Sequence, residues 1–306
     1  MKSVFGGLFG AALIFCVTLP LWGENYLISL FLFVFMYITL ASSWNLISGF
    51  TGYVSFGHVA FWGVGSYTAA IVITRLAWHW VPASLLAGAV AVLLAVIIGY
   101  PCLKLSGPYF AIAMLGLNEI VRVFVNLWAS VTQGGEGINL PPVLSIVSSY
   151  TAMGLLAFAT VATTYFVANS KFGLRLLAIR EDEVGAEVMG INTTLYKLGA
   201  FVLSAFFAGV AGGIYAWYLS FIEPESSFAL LVTIEMIIMA MFGGRATVMG
   251  PVIGATLLYL GSEMLWARFP EAHLALYGLL IIFVVLYMPQ GVMGMLRERG
   301  WVARGW

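Results

Sequence analysis

"VPASLLAGAVAVLLAVIIGYPCL", residues 81–103, runs for 23 positions without one charged side chain. About 20 apolar residues in a helix cross the hydrocarbon core of a bilayer. The run is continuously apolar rather than alternating, so it reads as a helix and not as a strand of a membrane barrel. Stretches of this kind recur along all 306 residues, of which 62% are hydrophobic and 8% charged. A soluble domain carries about 25% charge. A chain this apolar cannot hide its surface from water, so lipid is its main solvent. In hydrocarbon every backbone N–H and C=O must be paired internally, which leaves helices as the spanning element.

The expected fold class is therefore all-α, a polytopic transmembrane helical bundle forming one transmembrane domain over residues 1–306. Ten spans are expected, near 4–21, 26–47, 58–74, 81–103, 108–130, 150–168, 197–221, 227–243, 251–267 and 273–289. Eight is the alternative if two weak segments, 58–74 and 227–243, are re-entrant. Lys2 and the apolar run to Leu21 imitate a signal peptide, but Leu21-Trp22-Gly23-Glu24 offers no small-residue cleavage site, so a retained first span is expected.

Lys and Arg set the orientation. Counting ten spans from a cytoplasmic Lys2, the inner connections also hold Lys104, Lys171, Arg175, Arg180, Lys197, Arg245, Arg297, Arg299 and Arg304. The outer connections hold only Arg75 and Arg268, beside Glu24, Glu136, Glu223, Glu225 and Glu271. Both termini are thus expected in the cytoplasm. Net charge is zero, so no nucleic-acid partner is implied. Cys16 and Cys102 lie in or beside apolar runs and suggest neither a disulfide framework nor a metal site.

The largest inner connection, 169–196, contains "REDEVGAEVMG" from Arg180 to Gly190, with five charged residues in a chain that has few. Leu177, Val184, Val188 and Ile191 fall near one helical face, with Arg180, Glu183 and Glu187 on its flank. A short amphipathic helix is expected, stopped by Gly190 and softened by Gly185, a poor helix former. A solvated loop or a headgroup-lying helix is the plainer reading. An interfacial helix favours Lys and Arg on its polar face, whereas this one is acidic, which argues for docking on protein.

Here a resemblance enters. "KFGLRLLAIREDEVGAEVMGINTTLYKLGAFVLSAFFAGVAGGIYA" (171–216) resembles the signature of branched-chain amino acid type ABC importer permeases, the LivM subfamily. "SSWNLISGFTGYVSFGHVAFWGVGSYTAAI" (42–71), "GPYFAIAMLGLNEIVRVF" (107–124) and "FGGRATVMGPVIGATLL" (242–258) resemble the same family, in its order. The family often has Ala-Ala where this chain has Val184-Gly185. The resemblance implies that the loop is a coupling helix seated in a cleft of an ATP-binding subunit. Leu177, Val184 and Val188 would then be anchors, Arg180, Glu183 and Glu187 would fix orientation, and Gly190 would end the helix. It further implies a second, LivH-like permease subunit, two ATP-binding subunits and an extracytoplasmic solute-binding protein, in a bacterial cytoplasmic membrane. The solute would be a branched-chain or related small amino acid, with urea or short-chain amides as alternatives. The chain has no G-x-x-x-x-G-K-[ST] loop. It is expected to bind no cofactor and to be no enzyme, with ATP used by the partner subunits.

Charge at bilayer depth reads as functional by default. Glu119 and Arg122 share one face of the 108–130 span, where an intrahelical ion pair competes with a place on the translocation path. Glu235 lies in mid-span with no cation near it in sequence. A protonated carboxyl, a distant Arg or a polar cavity would each explain it. Segment 48–65 is rich in Gly, and unwound backbone there would need a cavity or surrounding protein. Its path candidates are Ser48, Gly49, Thr51, Gly52, Ser55, Gly57 and His58; a cytosolic turn followed by close packing, with a structural histidine, is the plainer reading. Gly209 with Gly213, and Gly250 with Gly254, permit close helix approach, within the chain or between subunits. No catalytic cluster is present, and the histidines 58, 79 and 273 are scattered. A stand-alone ion-coupled transporter using Glu119 and Glu235 is the competing class.

Overall fold

The computed structural model describes residues 18–20, 23–105, 107–143, 145–269 and 291–298, with positions 275, 278, 279 and 282 between the last two segments. The expected spans 4–21 and 273–289 lie almost wholly outside the described residues. Between them the chain is a helical bundle. It runs through α1 (Asn25–Trp44, prolonged by a π-helix at Asn45–Gly49), α2 (Val59–Leu76), α3 (Trp80–Cys102) and α4 (Pro108–Leu127). Then come α5 (Ile146–Ala168), two short helices α6 (Lys171–Glu181) and α7 (Glu183–Val188), and α8 (Thr193–Leu219). α9 (Leu230–Gly243), α10 (Gly250–Arg268) and α11 (Gly291–Glu298) close the described part. Seven of these segments are long and apolar enough to cross a membrane: Asn25–Gly49, α2, α3, α4, α5, α8 and Pro224–Gly243. The chain is therefore a polytopic membrane protein. The two weak expected spans, 58–74 and 227–243, both fall within the seven.

Local chemistry sets the helix ends. Pro108 opens α4, where its missing N–H costs nothing. Ser170 caps α6 by accepting from the Gly173 N–H at 3.1 Å, and Asn192 caps α8 by accepting from Leu195 at 3.1 Å. α3 ends just after Pro101, which cannot continue the ladder.

α8, the longest helix among the described residues, packs against α1, α2, α3 and α5. The crossings of α2, α3 and α8 are made by small residues. A Cβ on Gly65 would lie 2.1 Å from the Gly209 carbonyl oxygen, and one on Gly209 would lie 2.6 Å from the Ala91 Cβ. Gly213 rests on Ser84 of α3, and Gly254 on the Met239 carbonyl of α9. Both glycine pairs singled out in the sequence thus serve packing within the chain. α1 adds α5 and α10 to the bundle, and α10 pairs with α9.

Two departures from expectation stand out. The all-α expectation has one small exception: in the connection after α4, Ile138 and Asn139 pair antiparallel with Ile222 and Phe221. The Leu140 N–H extends that ladder to Ser220 at 2.8 Å. Ile138 and Ile222 are both 1% exposed, so burial of two isoleucines accompanies the backbone pairing. The second departure is the expected single amphipathic helix, which is two. Asp182 is extended, with φ −156° and ψ 107°, and separates α6 from α7. Aspartate competes poorly in helix interiors and favours positions just before a helix. The break also turns Glu183 inward, where charged hydrogen bonds hold it.

Candidate functional site

The ends of α1, α3, α5 and α9 and the starts of α2, α4, α8 and α10 gather at one end of the bundle, together with α6 and α7. The candidate site lies here, and its backbone departs from regular structure. After the π-helix the chain unwinds from Gly52 until α2 begins at Val59. Its polar atoms are largely spent internally. Thr51 Oγ1 donates to the Ile47 carbonyl at 2.7 Å and accepts from the Tyr53 N–H at 3.2 Å. Ser48 Oγ accepts from the Ser55 N–H at 3.1 Å. His58 is fully buried, with Nε2 3.2 Å from Ser43 Oγ. Ser48, Gly49, Thr51, Ser55, Gly57 and His58 are all buried, whereas Gly52 is exposed. Gly52 has φ +79°, which a side chain would strain, and it lies against Arg180 of α6.

A second irregular segment, between α9 and α10, is joined to the first by Asn45. Its Nδ2 donates to the Thr247 carbonyl at 2.9 Å, and its Oδ1 accepts from the Ala246 N–H at 2.8 Å. Asn45 is 0% exposed, so both bonds are made away from water.

α6 and α7 lie across this end. In α6 the buried residues are Gly173, Leu176 and Ile179. Leu177 is half-buried against the core. Arg180 Nη1 donates to the Gly49 carbonyl at 3.3 Å. Burial, then the charge of Arg245, pull the Arg180 pKa below its ordinary value. α7 has little apolar grip. Ala186 is its buried residue, while Val184 is 71% and Val188 82% exposed. Glu187 and Gly190 are exposed; Gly190 has φ +82°, and Glu187 accepts from Thr193 Oγ1 at 2.7 Å. The face expected to join Leu177 to Val184 and Val188 is interrupted at Asp182.

Glu183 is the exception on α7. It accepts from the Tyr53 hydroxyl, and Lys197 Nζ reaches it at 2.5 Å. Lys197 belongs to α8 and is 2% exposed. It also donates to Tyr53 Oη at 3.0 Å and to the Leu103 carbonyl at 2.8 Å. Burial pushes the Glu183 carboxyl up, but the hydrogen bonds from Lys197 and Tyr53 and the Lys197 charge outweigh it and hold the pKa below 4.5. Burial, then the hydrogen bond to Glu183, raise the Tyr53 phenol, which stays protonated. Sequence reasoning placed Lys197 among the loop charges and missed Tyr53 and Asn45. The available signal was a lysine inside the apolar pattern that becomes α8.

The remaining candidates lie elsewhere. Glu119 and Arg122 form an i,i+3 ion pair of 2.5 Å on the outer surface of α4, with side chains 55% and 34% exposed. Glu235 of α9 accepts from the Tyr37 hydroxyl, and Tyr37 in turn packs on Tyr259 with ring centroids 5.3 Å apart. Tyr259 and Phe33 also wall a cavity of about 370 Å³ toward the other end of the bundle, with Tyr26, Ser262, Glu263 and Trp266. Glu235 thus sits one layer beneath a polar, aromatic cavity, and among the described residues no cation pairs with it.

The described chain is thus a multi-pass helical bundle with irregular, hydrogen-bonded backbone at one end and two short helices beside it. Residues 26–285 match the family described as branched-chain amino acid transport system / permease component, and the chain belongs to that family. It is 28% identical to the high-affinity branched-chain amino acid transport system permease protein LivM of Salmonella typhimurium, over 94% of this chain and 75% of the relative. It is 27% identical to LivM of Escherichia coli over the same shares. With LivH of Salmonella typhimurium the identity is 25%, over 84% of this chain and 91% of the relative. No solved structure gives a significant match to the chain.

Proposed function

We propose that the chain is a transmembrane permease subunit of a bacterial ABC importer for branched-chain or related small amino acids. The names of the LivM and LivH relatives favour these solutes over urea and short-chain amides. On this reading the chain lies in the cytoplasmic membrane and pairs with a LivH-like permease. Two ATP-binding subunits and an extracytoplasmic binding protein complete the importer. The site end of the bundle faces the cytoplasm, as the Lys and Arg bias suggests, and ten spans place both termini there too.

The observation that carries the coupling role is α7. Val184, Val188 and Met189 are 71%, 82% and 82% exposed beside acidic Glu187. Apolar side chains raised on a short acidic helix supply affinity to a protein groove, while the charges fix register. A pull-down in mild detergent from native membranes tests this, comparing wild type with Val188→Asp at equal membrane levels. An ATP-binding subunit should accompany wild type and be lost with the variant. If none accompanies wild type even after crosslinking, the importer reading fails. The acidic outer connections, with Glu223 and Glu225, would meet the binding protein. Reversing both charges should slow uptake, and unchanged uptake would remove that assignment.

A further inference from the structure

We infer that Lys197, Glu183 and Tyr53 form the linkage through which displacement of α7 is delivered to the membrane bundle. The inference rests on the importer reading and assigns positioning roles that neither the family nor its relatives' names supply. It starts from the weakness of α7. Six residues make a marginal helix, and its largest apolar side chains point away from the bundle. Apolar contact therefore holds it poorly, and its firm attachments are polar. Glu187 binds Thr193, at the start of the same helix that carries Lys197. Glu183 binds Lys197 and Tyr53.

Lys197 draws separate parts of the chain onto one ammonium. It holds α7 through Glu183, the unwound segment after α1 through Tyr53, and the end of α3 through the Leu103 carbonyl. It stands on α8, around which α1, α2, α3 and α5 pack. The Tyr53 ring lies 4.2 Å from Lys197 Nζ and meets Phe110 of α4 edge-on at 5.3 Å. Phe110 in turn meets Phe201 of α8. A pull on Glu183 is therefore shared at once by α8, the 52–58 segment, the α3 terminus and α4. A buried ion pair contributes uncertain net stability against an apolar replacement. Its geometric definition is strong, and a linkage that must carry a load without slipping requires that property.

The test uses the assembled transporter with its ATP-binding subunits. Spin labels are placed at exposed Ile97 of α3 and Leu155 of α5, after Cys16 and Cys102 are replaced by serine. Label distance and ATP hydrolysis are measured together, with and without ATP. This readout does not depend on which solute is carried. In wild type, ATP should change the distance. In Lys197→Met and Glu183→Gln, hydrolysis should persist while the ATP-driven population shift weakens about fivefold or more, the range of ordinary coupling between sites. Lys197→Arg, which can still reach Glu183, should restore part of it. Glu183→Gln and Tyr53→Phe remove no bulk and decide the matter if Lys197→Met does not assemble. A wild-type distance change in the assembled variants overturns the linkage. So does a wild-type complex that hydrolyses ATP without any distance change. A wild-type chain that recruits no ATP-binding subunit instead overturns the importer reading itself.

Discussion

Asn45 shows how much one uncharged side chain can hold in place. Its amide joins two irregular segments distant in sequence, and both bonds are buried. Removing it leaves the Ala246 N–H and the Thr247 carbonyl without these partners, at about 1–3 kcal/mol for each group that stays dry. Asn45→Ala should lower the unfolding temperature in detergent, and an unchanged temperature would mean that water replaces the amide. Glu183 gives a pH signature. Its pKa is below the ordinary 4.5 in the folded chain, so its stabilisation is complete above 4.5 and is lost as pH falls through the folded value. Wild type should lose more stability than Glu183→Gln on acidification from pH 6 to 3. Parallel acid-unfolding curves would contradict this. None of these partnerships follows the periodicity of a helix. Lys197 meets Glu183 across 14 residues and Tyr53 across 144, so sequence spacing cannot announce them.

At the scale of elements, hydrocarbon makes spans easy to read, since only apolar helices satisfy their backbone there. The expected 81–103 and 108–130 spans therefore lie close to α3 and α4. The 169–196 segment is less legible because a plausible apolar period runs straight through Asp182. Asp182, a residue that suits the position before a helix, and the inward pull on Glu183 together make two helices of one. Glycines divide in the same way. Gly65 meets the backbone of Gly209, whereas a Cβ on Gly116 of α4 would meet nothing within 4 Å. Gly65→Ala should cost about 1–3 kcal/mol through overpacking. Gly116→Ala should cost nothing in the isolated chain, and should add up to about 1 kcal/mol through helix propensity. Thermal unfolding of the two variants side by side checks both. Equal effects would mean that propensity, not the crossing, decides.

Across the described part of the molecule, α4 carries a broad uncovered face. Ile112, Ile120, Phe124 and Leu127 are 65%, 68%, 57% and 80% exposed, and the Glu119–Arg122 pair lies among them. Apolar exposure alone suits lipid, but an ion pair at this depth does not. The importer reading turns this face toward the companion permease or the path between the two subunits. A cysteine at Ile120, with Cys16 and Cys102 replaced, should crosslink to the companion permease. Labelling by a lipid-phase reagent instead would put α4 on the outer wall.

The glycine crossing of α2, α3 and α8 has a consequence for measuring motion in this protein. Where backbone touches backbone there are no long side chains to change rotamer, and so no slack to absorb a shear. Those helices must travel together. Dyes on Leu76 and Leu219, 59% and 41% exposed at the far ends of α2 and α8, should therefore keep a constant separation through every stage of the cycle. They offer a built-in ruler against which the travel of any other helix can be calibrated.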